Sequence, residues 1–136
     1  LDAFPRKIWS KIGCRVIKSA TTRDMNYPDP KGLMVLRKAL AAYLHVSRGV
    51  FCKPAQIIIT DGYRGSLDLI CRAFLKTDDL IWMEDPGYFA AKHLLIAAGG
   101  TLIPVPVDVE GMIISEGIRK ATHANFADVT PSHQTP

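Results

Sequence analysis

Gln56-Ile-Ile-Ile-Thr60 and Leu80-Ile-Trp-Met-Glu84, with one helical stretch between them, decide the fold of this chain. The first is a short β-branched run with breakers on both sides, which predicts a buried strand. Gly62 follows and precedes a helical segment that puts Leu67, Ile70, Cys71 and Phe74 on one face. After the second run, Asp85-Pro-Gly87 is a turn, and Tyr88 to Ala98 is a helix closed by Gly99-Gly100. Leu102-Ile-Pro-Val-Pro-Val107 is a third extended run. Its two prolines predict an edge or exit position, because proline has no N–H to give to a ladder. Ser115 to Ala121 is a short helix, and Ala127-Asp-Val-Thr130 a fourth strand. Strand and helix alternate at about 25 residues per unit, which is βαβ grammar. The expected fold class is α/β: a partial αβα sandwich with a mostly parallel sheet.

Upstream the pattern is different. Residues 1–31 show little periodicity, although Trp9 and Ile12 can form one apolar face of a short helix after Pro5. Asn26-Tyr-Pro-Asp-Pro-Lys-Gly32 is a cluster of breakers, since two prolines fix φ and remove donors. Beyond it Leu33, Leu36, Leu40, Tyr43 and Leu44 recur at helical spacing, with Arg37, Lys38 and His45 off that face. This predicts an amphipathic helix of about four turns, with Gly49 at a left-handed C-cap position. Residues 1–50 form an N-terminal arm or small-lobe segment with its own helix. Residues 51–136 form the N-terminal part of a larger, incomplete α/β domain.

Composition bounds the function classes. The chain has 136 residues, 48% hydrophobic and 22% charged, ordinary for a soluble globular protein. The formal net charge of +4 is spread along the sequence. No block of like charges marks a nucleic-acid tail, and a mixed solvated surface is the plainer reading. Cys14, Cys52 and Cys71 are odd in number and lack Cys-x-x-Cys spacing. Neither a disulfide framework nor a zinc site is suggested, and reduced thiols in the cytoplasm fit. No apolar run is long enough for a membrane span. Leu1 to Lys7 hold neither an initiator methionine nor a signal-peptide core, so the chain reads as a fragment.

In open α/β sheets, ligands bind beyond the carboxyl ends of the strands. Three loops are expected there: Thr60–Gly65, Glu84–Tyr88 and Thr130–Pro136. In Thr60-Asp-Gly-Tyr-Arg-Gly-Ser66, Gly62 and Gly65 permit close backbone approach. The helix start offers free N–H groups to an anion, and Arg64 and Ser66 add donors. The stretch is neither a Walker A loop nor a dinucleotide fingerprint. It reads either as a phosphate cradle or as a tight turn in which Asp61 or Thr60 caps the helix. Tyr88, just after a turn at a strand end, could stack on a planar cofactor or pack on its own helix. The Tyr27 hydroxyl could reach a phosphate from the proline-rich loop, or the ring could simply pack at the surface. His133 could hydrogen-bond a ligand or lie exposed in its loop. The other histidines lack metal-ligand spacing, and the sequence justifies no Ser-His-Asp arrangement.

Taken together these pieces resemble a family. Tyr27-Pro-Asp-Pro-Lys-Gly32 with Leu36-Arg37, Ile57-Ile-Ile-Thr-Asp-Gly62 with Ser66-Leu67, and Glu84-Asp-Pro-Gly-Tyr88 are similar to the class I/II aminotransferases. These are the fold-type I enzymes of pyridoxal 5'-phosphate (PLP). Phe4-Pro5 with Trp9, Arg48-Gly-Val-Phe-Cys52 before Gln56, and Thr130-Pro-Ser-His-Gln134 with Pro136 resemble more narrowly one group. That group is the aminotransferase-like effector domains of MocR-type transcription regulators in the GntR superfamily.

The resemblance runs from about Phe4 to Pro136 and implies roles. Gly62, Tyr63 and Arg64 would hold the PLP phosphate, and Tyr88 would stack on the pyridine ring. Tyr27 would reach the phosphate of the neighbouring subunit of a homodimer. His133 would lie near the O3' side of the ring. The covalent lysine, and the aspartate that pairs with the ring nitrogen, would lie beyond Pro136. A winged-helix domain contacting DNA would precede Leu1, and the effector would be an amino acid or a PLP adduct. A free-standing aminotransferase, and a non-PLP α/β module binding another phosphate ligand, remain the alternatives. Without the lysine, these residues alone are expected not to transaminate. Asp78, in Lys76-Thr-Asp-Asp79, occupies a position where the family commonly has glycine.

Overall fold

The computed structural model describes residues 3–132, with Arg23 described by its backbone alone. The chain divides into two compact units, Leu1–Ile59 and Thr60–Pro136. In the first, helix α1 spans Arg6–Ser19 and helix α2 spans Met34–Arg48. Gly49 takes φ +65° as expected. Its N–H donates to the His45 carbonyl, and the Val50 N–H donates to the Leu44 carbonyl, closing the last turn of α2.

Two sequence expectations fail in this region. Gln56–Thr60 is not a strand: Pro54–Gln56 is a 3-10 turn and residues 57–60 run on unpaired by any ladder. The Ile59 N–H donates instead to the Lys31 carbonyl. The second failure is Arg37, expected on the polar face of α2. It is 2% exposed and is the one buried residue of that helix, whereas Leu33, Leu36 and Tyr43 stay exposed. The reason is chemical. Its Nε donates to the Gly32 carbonyl at 3.0 Å, and its Nη2 pairs with Asp29 at 2.7 Å. The Asp29 carboxylate is also fixed from its own turn by the Lys31 N–H. That bond, ahead of the Arg37 charge, holds Asp29 below the ordinary carboxylate range.

The second unit runs α3 (Gly62–Phe74), β1 (Leu80–Asp85), α4 (Phe89–Ala97), β2 (Thr101–Asp108), β3 (Gly111–Met112), α5 (Ile114–Lys120) and β4 (Phe126–Asp128). The sheet order is β3-β2-β1-β4. β1 pairs in parallel with both β2 and β4, and only the two-residue β3 is antiparallel. Successive residues of β1 face opposite sides. Ile81 joins Cys71 of α3 and Leu95 of α4 in the core. Trp82 meets α5 on the other side, where its indole N–H donates to the Ala121 carbonyl and Gly117 lies against its ring. This is the αβα layering read from the sequence. The prolines of β2 do not mark an edge strand, because β2 lies between β3 and β1. The carbonyls of Pro104 and Pro106 accept from Lys120 Nζ and the Ile113 N–H, so both residues point away from β1 and their missing donors fall outside that ladder. Among the described residues, no helix is long and apolar enough to cross a membrane, and no cluster could hold a metal ion.

Asp78 has φ +66°, the left-handed region that glycine enters without strain. Asp78→Gly is therefore expected to raise stability by up to about 1 kcal/mol, read as an upward shift of the urea midpoint. An unchanged or lower midpoint would contradict this.

Much apolar surface is left uncovered. Ile8, Trp9, Ile12 and Val16 of α1 are exposed, as are Leu36 and Tyr43 of α2, and β4 is a terminal strand with one neighbour. Exposed apolar faces and open strand edges favour association. Sedimentation of the isolated chain is expected to show concentration-dependent association. A stable, sharply two-state monomer would show that the surface is tolerated in solution.

Candidate functional site at the carboxyl edge of the sheet

The loop before α3 is tight and locally determined. Gly62 sits at φ +71°, and its N–H donates to the Thr60 carbonyl at 2.9 Å. Neither Asp61 nor Thr60 caps the helix. Asp61 makes no side-chain cap bond, and the Thr60 hydroxyl is engaged with Ser66 and the Gly62 carbonyl. The N–H groups of Tyr63 and Arg64 consequently have no hydrogen-bond partner among the described residues. They head a 13-residue helix, whose start carries about half a positive charge. The Arg64 guanidinium forms no ion pair among the described residues, so the cation stays available.

The turn after β1 brings in the aromatics. The Tyr88 ring lies 5.6 Å from Tyr63 at 70° and 5.5 Å from Phe89 at 61°, edge-on to both. Arg64 and Tyr88 line one cavity of about 380 Å³ together with Phe89 and His93. Glu84, 6% exposed, accepts the Thr130 N–H on Oε1 at 3.1 Å and so ties the loop after β4 to β1. The Tyr63 hydroxyl donates to Asp128 Oδ1 at 3.1 Å. Burial, then the Asp128 carboxylate, pushes the Tyr63 phenol up to about 12. Burial also raises the Asp128 carboxyl; the Tyr63 bond pulls the other way, and Glu84 adds to the rise. Burial lifts the Cys71 thiol as well, consistent with its packing role in the core.

The sign of the Asp128 effect follows. An acid whose folded pKa is raised favours the fold while neutral. That contribution is full below its ordinary value of 3.8 and is lost as pH rises through the raised value. The denaturant midpoint of the natural chain is expected to fall relative to Asp128→Asn across that interval. Parallel profiles for the two proteins would refute the assignment.

The structure thus gathers Gly62, Tyr63, Arg64 and Tyr88 at one edge of the second unit. Tyr27 belongs to the first unit and is fully exposed there. His133 lies outside the described residues. Sequence reasoning passed over Asp128 and Glu84. The available signal was a carboxylate inside, or ending, an otherwise apolar strand run. The arrangement suits a ligand with an anionic end for the helix start and a planar body for the Tyr88 ring, and a phosphorylated pyridine meets both demands.

The family model for class I and II aminotransferases matches residues 6–128, and the chain belongs to that family. Among its relatives is the probable rhizopine catabolism regulatory protein MocR of Rhizobium meliloti. It is 35% identical over 136 residues, covering all of this chain and 27% of that protein. The HTH-type pyridoxine biosynthesis transcriptional regulator PdxR of Corynebacterium glutamicum is 33% identical over 120 residues, covering 88% of this chain and 25% of that protein. The kynurenine aminotransferase of Pyrococcus horikoshii, solved in complex with PMP, superposes with a TM-score of 0.85 at 29% identity. That match covers 98% of this chain and 34% of the other. The chain therefore spans about a quarter of these regulators.

Proposed function

We propose that this chain is the N-terminal part of the PLP-binding, effector-sensing domain of a MocR-like transcription regulator, acting in the cytoplasm as a homodimer. The observation that carries the reading is the match to a MocR protein over the chain's whole length, joined to the N–H groups beside Gly62 that have no partner among the described residues. Residues 1–50 would be the arm and 51–136 the opening of the cofactor domain. The Tyr63 and Arg64 N–H groups, with the Arg64 side chain, would hold the phosphate. Tyr88 would lie over the ring, kept upright by its edge-on neighbours. Tyr27 would come from the partner subunit, and His133 would face the O3' side. Bound PLP supplies an aldehyde that reacts with the amino group of an effector. This chain's residues orient that group and do not attack it. DNA contact would belong to a winged helix upstream, and the effector would be an amino acid or its PLP adduct.

The likeness to kynurenine aminotransferase supports a second reading, part of a free-standing aminotransferase. The flanking coding sequence separates the two. A winged helix encoded upstream selects the regulator. Its absence, with a lysine encoded downstream at the family's position, selects the enzyme. Neither element would overturn both and favour a different phosphate ligand.

A further inference from the structure

We infer that Asp128 is a positioning residue, which through its hydrogen bond to Tyr63 sets the geometry of the Tyr63–Tyr88 ring pair. The inference rests on the reading of Tyr88 as the residue that lies over the cofactor. Tyr63 stands in the first turn of α3, half exposed, with a long phenol free to swing. Two contacts define its direction. One is the edge-on approach to Tyr88, and the other is the bond to Asp128, which joins residues 65 positions apart in sequence. A hydrogen bond to a carboxylate is the more directional constraint. Few other acceptors are within reach. The cavity beneath Tyr63 is lined by Leu67, Ile70, Cys71 and Phe126, and the Ser66 hydroxyl there is already engaged with Thr60 and Gly62.

Asp128 is itself held by the sheet. It ends β4, in parallel register with Met83 of β1. A carboxylate half-buried in this setting is disfavoured by desolvation, and the Tyr63 hydroxyl donates the hydrogen bond that offsets it. The bond therefore ties the start of α3, where the free N–H groups lie, to the end of β4. Tyr88 sits between Tyr63 and Phe89. Turning Tyr63 removes one of the two edges that hold the Tyr88 ring, while the backbone N–H groups of the helix start stay in place.

The test uses the 136-residue chain with Asp128→Ala, Asp128→Asn and Tyr63→Phe. Aromatic NMR shifts of Tyr88 are read without ligand. Titrations with inorganic phosphate and with PLP are then followed by amide shifts and by induced circular dichroism. Asp128→Ala and Tyr63→Phe are expected to move the Tyr88 ring shifts and to weaken PLP roughly five- to tenfold. The phosphate response is expected to persist, and Asp128→Asn, which keeps an acceptor, to restore both readouts. Should Asp128→Ala fail to fold, Tyr63→Phe removes the same bond and leaves the carboxylate. Tyr88 shifts that stay as in the natural chain would overturn the inference, whatever binds. If Tyr88 moves as expected but the natural chain binds neither phosphate nor PLP, positioning stands and the cofactor reading fails.

Discussion

Replacing Gly87 with alanine is expected to lower stability by at least about 3 kcal/mol, enough to abolish a cooperative transition in a small unit. A Cβ built at Gly87 would fall 2.2 Å from the Glu84 carbonyl oxygen and 3.0 Å from its carbon. These are backbone atoms at the end of β1, the strand with two parallel neighbours, so they cannot swing aside as a side chain would. Glu84 is also nearly buried and tied to Thr130, so relief by moving it breaks a second contact. Gly62→Ala is the informative comparison. Nothing lies within 4 Å of a Cβ there, and only φ of +71° resists the change. Its expected cost is about 1 kcal/mol. Urea titration of the two variants should separate steric from conformational need for glycine. Equal costs would show that the Glu84–Gly87 turn relaxes.

Arg37→Met carries the next largest effect, a loss of about 2–3 kcal/mol. Methionine can refill the space but cannot donate. The Gly32 carbonyl and one Asp29 oxygen lose their partner, and Gly32 is crowded by Ile59 at the same place. Arg37→Lys keeps the charge and loses the fork that serves two acceptors at once, so it should recover only part of the loss. A denaturation midpoint for Arg37→Met within error of the natural chain would show that the guanidinium is a passenger. The pH dependence has a definite sign. Asp29 titrates below its ordinary value, so its stabilisation is present above that value and is lost as pH falls through the lowered one. Arg37→Met should flatten this part of the acid limb, and the Lys31 N–H should preserve the rest.

What could be read from the sequence was local. α2 and α3 follow from apolar spacing, and Gly49 from its place after the last turn. That Gly62, Tyr63, Arg64 and Tyr88 share one edge was legible for the same reason, since a turn before a helix and an aromatic after a second turn are short-range patterns, although the strand expected before Gly62 is not there. The failures were relational. Ile57, Ile58 and Ile59 have strand preference, yet a strand exists only where a neighbour pairs, and here the Ile59 N–H turns to Lys31. Arg37 looks polar on a helical wheel, while its burial is decided by a carbonyl and a carboxylate in the preceding loop. The Tyr63–Asp128 bond links residues that no window of sequence holds together.

The most direct test of the account is a phosphate titration of this chain followed by amide NMR shifts. The anion is expected at the start of α3, where the N–H groups of Tyr63 and Arg64 have no partner among the described residues. The expected result is saturable shifts centred on Tyr63 to Ser66, weak in affinity and deepened when PLP replaces phosphate, with Tyr88 then moving too. Amides of Tyr63 to Ser66 that stay unmoved while distant amides respond would contradict the claim that this loop is the cofactor's phosphate cradle.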